Sequence, residues 1–262
     1  MLANISAAMR KYSFLLRQLI SRDFKVKYKR SALGVLWSLL YPVLMMCVMA
    51  LVFRNVFRFT APGVSYLAYL MTGLTLFNYF SEATNLAMSS VVANFALIGK
   101  VYIPKYLFPL SKCLFVGINF LLTLIPLYAV IILTGTGLCW QHLLLPYDYL
   151  CLFAFTAGMG LLLSACAVFL RDLFYIYGIV ITVWTYLTPI MYDVGMIGSE
   201  RIIFLMKFNP LYQYIDFART VILFHSAPSP QSFLFCALSA AAALAAGGAV
   251  FRAKQDRFIY YI

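Results

Sequence analysis

The stretch L33-GVLWSLLYPVLMMCVMALV-F53 is 21 residues without a single charge, and it is closed by Arg54 and Arg58. At 1.5 Å of rise per residue it makes a helix of about 32 Å, the thickness of a bilayer hydrocarbon core. A buried helix of a water-soluble domain rarely needs so long an apolar run. The rest of the chain repeats the pattern: 64% of its 262 residues are hydrophobic and only 11% are charged, against about 25% charged residues in ordinary soluble domains. Lipid is the expected solvent.

Working outward from this first run, five more follow. We expect spans over 33–53, 66–92, 107–133, 150–170, 174–192 and 232–251, all helical, within one membrane domain covering 33–262. The second is interrupted by Glu82, the third contains Pro126, and the fourth ends at Arg171-Asp172. Residues 1–32 carry eight Lys and Arg against the single acid Asp23, with Tyr12, Leu15, Leu16, Leu19, Ile20 and Phe24 recurring at helical spacing. This is an amphipathic helix, placed on a lipid surface or docked on a partner protein. It precedes the first apolar run, so no cleavable leader is expected and that run stays in the mature protein.

The net charge of +12 is arranged by side. With the N-terminus inside, the inner segments hold fifteen Lys and Arg and the outer ones five (Arg54, Arg58, Arg201, Lys207 and Arg219). Both termini are therefore expected in the cytoplasm. Residues 202–224 are apolar but broken by Lys207, Pro210, Asp216 and Arg219 into pieces too short to cross. Two short re-entrant helices joined at Asn209-Pro210 are the natural solution.

Enzyme chemistry has little support. The six cysteines are scattered without a C-x-x-C pair, and neither His142 nor His225 has a second ligand at metal spacing, so no metal is expected. No phosphate loop occurs, since the only Gly-Lys, Gly99-Lys100, is followed by Val101. Glu82, an acid well inside a span, is costly there and has either a role in the pathway or a structural hydrogen bond to a neighbouring helix. Trp37 and Tyr41 share one helix face, as do Tyr177 and Trp184, and Tyr175 and Tyr186. Such rings anchor helices at the headgroup level or offer flat faces to sugars. The run L238-SAAAALAAGGA-V250 is made of small residues that let helices approach closely, against another span of the same subunit or across a dimer seam.

Six motifs in order carry a resemblance that covers nearly the whole chain. They are the basic N-terminus, YKRSALGVLWSLLYPVL (28–44), NFALIGKVYIPKYLFPL (94–110), FLRDL (169–173), YLTPIMY (186–192) and FNPLYQYIDFAR (208–219). Together they resemble the ABC-2 type permeases, more narrowly the membrane subunits of ABC exporters for lipid-linked polysaccharides such as O-antigen, capsule and wall teichoic acid. Permeases exporting drugs or other small molecules are the alternative within that family.

The resemblance implies a homodimer in the bacterial cytoplasmic membrane, paired with two copies of a separate ATP-binding subunit. That subunit, and not this chain, would carry ATP and Mg2+. It further implies a coupling helix over 94–102, with Asn94, Leu97, Ile98, Gly99, Lys100, Tyr102 and Pro104 meeting the ATPase. Trp37, Tyr41, Tyr177, Trp184 and Tyr186 become candidates for glycan contact in a channel between protomers. Arg22, Lys25, Lys27, Lys29 and Arg30 become candidates for the lipid diphosphate or for membrane lipid headgroups, and Arg171-Asp172 for a structural or coupling ion pair. No nucleic acid is expected.

Overall fold

Apolar solvent leaves the backbone to satisfy its own hydrogen bonds, and helices do this within one segment. The computed structural model describes residues 2–29, 33–56, 65–99, 103–192, 194 and 198–261, and among them every regular element is helical. In chain order these are α1 (Leu2–Lys27), α2 (Trp37–Val56), α3 (Tyr66–Ala93), α4 (Phe95–Ile98), α5 (Leu107–Leu133), α6 (Leu145–Phe169), α7 (Leu173–Leu187), α8 (Glu200–Lys207), α9 (Pro210–Ile222) and α10 (Pro230–Lys254), with 3-10 turns at Gly34–Leu36, Trp140–Leu144 and Gln255–Tyr260. Among the described residues three segments, Leu107–Leu133, Trp140–Phe169 and Pro230–Phe258, are long and apolar enough to cross a membrane by length and composition. Helix α7 is as apolar but has only 15 residues.

Local chemistry sets the ends. Helix α6 starts before the apolar run does, because Pro146 occupies its first turn and needs no amide partner there. Helix α7 stops at Leu187 because Pro189 drives Thr188 into extended geometry, with ψ at 126°. Asn209 caps α9 by accepting the Leu211 amide at 3.1 Å, and Pro210 takes the first helical position. Residues 94–102 hold only the four-residue α4 among the described positions.

The core is a bundle of α3, α5, α6 and α10. Its tightest seam is α6 against α10, where a methyl on Gly247 would meet the carbonyl of Gly158 and a methyl on Gly158 would meet the backbone of Ala243. The small-residue run thus seats α10 on a helix of its own chain. On the other side of α6, a methyl on Gly160 would lie 2.9 Å from the Ala87 side chain of α3.

The two ends of the bundle differ. At one end, which we term the basic end, α1 and α4 gather round the C-terminal ends of α3, α6 and α10 and the start of α5. There Leu19 packs with Ile103, Leu107 and Phe108. The chain's last turn folds back onto the same end, with Phe258 against Phe251 and Phe169, and Lys105 donating to the Gln255 carbonyl at 2.6 Å. At the opposite end, α9 lies buried across α3, α6 and α10, and Tyr214 bonds the Cys236 carbonyl and the Ser239 hydroxyl.

Candidate functional site

Residues 188–192 leave α7 without helical structure, so their carbonyls need partners from elsewhere. Four successive ones obtain them from side chains. Arg219 donates Nη1 to Pro189 at 2.7 Å and Nη2 to Ile190 at 2.9 Å, Tyr66 donates to Met191 at 2.8 Å, and Tyr69 donates to Tyr192 at 3.0 Å. Arg219 is 3% exposed, stacks 3.4 Å from the centroid of the Tyr69 ring, and also reaches the Tyr69 carbonyl. Gly73 makes the room, since a Cβ there would stand 2.7 Å from Nη2.

Asn209 is the second knot. Its side-chain oxygen accepts the Trp184 indole N–H at 2.9 Å while its nitrogen donates to the Thr188 hydroxyl, also at 2.9 Å. The motifs 186–192 and 208–219 are thereby one lattice, joining α3, the end of α7 and α9. Nearby, burial pushes the Asp216 carboxyl above its ordinary pKa, while Arg219 and Lys207 pull it down. Replacing Asn209 with Ala removes a helix cap and two side-chain bonds. We expect a loss of about 2 kcal/mol, measured as a lower thermal midpoint of the detergent-purified protein. Asp at 209 should restore the cap and the Trp184 bond.

The aromatic candidates divide. The rings of Trp37, Tyr41 and Tyr186 stand exposed on α2 and α7. Tyr177 is buried and its hydroxyl donates to Thr84 at 2.6 Å. Trp184 is half-buried, edge-on to Phe80 with 5.3 Å between ring centroids. The structure brings the first three to the surface and turns the other two inward.

At the basic end, the second half of α1 runs parallel to the first half of α5. Contacts climb in register: Asp23 with Lys112 at 2.8 Å, Phe24 on Phe115, and Tyr28 donating to Asn119 at 3.3 Å. Lys27 continues the climb to Glu82 at 2.9 Å. Glu82 therefore has a neighbouring helix as its partner. Of the proposed anion contacts, Arg22 leans on Asp23 and Lys27 is taken by Glu82, while Lys25 and Lys29 are exposed and Arg30 lies outside the described residues. Arg171 and Asp172 are both exposed, and they form no ion pair with each other within 4 Å. Successive side chains diverge at the start of α7, where the Asp172 carbonyl opens the helix.

In the 94–104 segment, Asn94 is buried and donates to the Ser90 carbonyl at 2.7 Å. Leu97 and Ile98 pack against the cluster of Leu19, Ile103, Leu107 and Phe108, and Ile98 also touches the cluster of Val91, Leu161 and Phe251. Gly99 is exposed and Pro104 half-exposed, while Lys100 and Tyr102 lie outside the described residues. The short helix α4 thus lies between two apolar clusters, one shared by α1 and the start of α5, the other by the ends of α3, α6 and α10.

The model of the ABC-2 type transporter family matches residues 15–223. The chain belongs to that family. The match takes in α2 to α9 and with them the whole lattice around Arg219. The chain is similar to the O-antigen export system permease protein RfbA of Myxococcus xanthus, at 29% identity over 94% of this chain and 95% of that one. A protein of the same description from Klebsiella pneumoniae is 31% identical over 77% of each chain. The polysialic acid transport protein KpsM of Escherichia coli is 19% identical over 92% of this chain and 93% of its own. The chain is an integral membrane protein, and its relatives are permease subunits.

Sequence reading missed Arg219 and Asn209 as lattice residues, counting the first as an outer charge and the second as a joint. A signal was present: a lone arginine in an apolar stretch must find a partner or cost several kcal/mol.

Proposed function

We propose that this chain is the membrane subunit of an ATP-driven exporter that moves a lipid-linked polysaccharide across the cytoplasmic membrane of a bacterium. The near end-to-end similarity to an O-antigen export permease carries the reading. In it, α2, α3, α5, α6, α7 and α10 are the six spans and α1 is the interface helix. Helices α8 and α9 are the re-entrant pair on the outer face. A 15-residue α7 is only about 22 Å long, so the bonded segment 188–192 completes that span. Protein, not lipid, then satisfies the irregular backbone.

The basic end faces the cytoplasm with both termini, as the positive-inside rule requires. Two copies of the chain meet there with two copies of an ATP-binding subunit that holds ATP and Mg2+. The 94–102 segment receives the push. Seated through Leu97 and Ile98 on the cluster that α1 shares with the start of α5, α4 passes motion to α1 and to the helix ends behind it. Among the described residues, α2 and α7 expose many large apolar side chains, Leu44, Val48, Ile179 and Val183 among them, the supply of area that a second copy and a glycan path would cover. Trp37, Tyr41 and Tyr186 contact the glycan there, and Trp184 and Tyr177 brace the wall. Lys25, Lys29 and Arg30 meet the lipid diphosphate.

The test is genetic and biochemical. Deleting the gene should abolish surface polysaccharide, and the tagged permease should bring down an ATPase from the same membranes. Changing Gly99, Lys100 and Tyr102 together to Ala should reduce export at least tenfold at an unchanged level of permease. Full export by that variant would sink the coupling assignment.

A further inference from the structure

Between α2, α3 and α5 lies a cavity of about 480 Å³, within the range of small-ligand sites. It is separate from the aromatic face of α7 and from the lattice at Arg219. Apolar side chains, among them Met45, Val116 and Phe120, form most of its wall. A stripe of polar groups crosses it: Tyr41, Thr75, Asn78, Glu82, Asn119 and Thr123.

This stripe has unused hydrogen-bonding capacity. Asn119 is 5% exposed, its oxygen accepts from Tyr28, and its amide nitrogen has no partner among the described residues. Asn78 makes no side-chain hydrogen bond among them either. A buried amide donor in an apolar surrounding costs about 1–3 kcal/mol when unmet, so the site favours an occupant that supplies acceptors.

The charge of the site limits what that occupant is. Glu82 is neutralised by Lys27 at 2.9 Å, so neither an anion nor a cation gains a free counter-charge. What remains is carboxamide and hydroxyl groups beside the exposed ring of Tyr41 and the ring of Phe120. Groups that both donate and accept, set against flat apolar faces, match a neutral sugar ring.

We propose that this cavity is a binding site for a neutral hexopyranose unit. The proposal rests on the polysaccharide-export reading and adds a second contact point for the cargo, between α2, α3 and α5 of each protomer, entered beside Tyr41 of the α2 surface. Lys27 and Tyr28 bring the end of α1 to its rim, so a sugar in the cavity touches the same two residues, Glu82 and Asn119, that α1 holds.

The complex of permease and ATPase, reconstituted in lipid nanodiscs, is irradiated with a diazirine-bearing alkyl glucoside. The same chain on a phosphocholine head serves as the comparison. Labelled peptides should map to 75–82 and 119–123, and excess methyl glucoside should compete the label away. Asn119→Leu and Asn78→Ala should each weaken labelling about fivefold, the equivalent of one hydrogen bond. Asn78→Ala disturbs no contact of α1 and so guards against simple misfolding. Equal labelling by the phosphocholine probe, label that sugar does not compete, or no label in these peptides would each overturn the site. Surface polysaccharide in the wild-type strain, lost on gene deletion, reports the export reading separately from all three outcomes.

Discussion

Replacing Gly247 with Val leaves little folded protein in the membrane. The side chain would drive into the carbonyl of Gly158 on α6, and a backbone atom cannot turn aside as a flexible side chain can. The only relief is to part α6 from α10, the tightest seam of the bundle. Parting them also strains Tyr147, which donates from α6 to the Phe233 carbonyl of α10 at 2.7 Å. Overpacking in a well-filled core costs about 1–3 kcal/mol where neighbours can shift, and here they cannot. The expected readout is loss of the monodisperse peak when a fluorescent fusion is solubilised and run on a sizing column. Gly158→Val should do the same from the other helix. Gly248→Ala is the control, because a methyl there meets nothing within 4 Å. A normal peak from Gly247→Val would show that the α6 to α10 contact is not as close as described.

Replacing Arg219 with Met comes next in size. The guanidinium serves Pro189, Ile190 and Tyr69 at once, and its loss strands carbonyls in a site that neither water nor lipid can serve. Each buried carbonyl left unmet costs about 1–3 kcal/mol, and the two of Pro189 and Ile190 together make a drop of roughly 10 °C in thermal midpoint. Lys at 219 should not restore it, since an ammonium on a flexible stem cannot span two successive carbonyls as a planar fork does. Gly73→Ala is the independent check: its Cβ would stand 2.7 Å from Nη2 and push the guanidinium out of place. If Arg219→Lys matches the wild type in stability and export, the two-pronged hold on the 188–192 segment is not what fixes this end of the molecule.

Much of the candidate site was visible as residue types but not as partnerships. Glu82 stood out as an acid in an apolar run, and two readings of it remained open. The structure gives it Lys27, 55 positions earlier, a pairing that periodicity cannot supply because it states which face a side chain occupies and not what stands opposite. Trp184 and Tyr177 looked like Trp37 and Tyr41 in the sequence. They differ only because Asn209 and Thr84 happen to lie across from the first two. Arg219 counted as one of five outer charges, yet it is among the least exposed polar residues of the fold.

Sequence by itself determined the solvent, the helical class and the family. Apolar runs of bilayer length can hide their backbone from lipid only by coiling, whatever their neighbours are. It also marked α10 as a close-packing helix, since a run of alanine and glycine has no bulk to hold another helix away. Tertiary structure alone decided where the polar side chains go. Arg219 and Trp184 find their partners 150 and 25 residues away, and only the packed bundle fixes which groups those are.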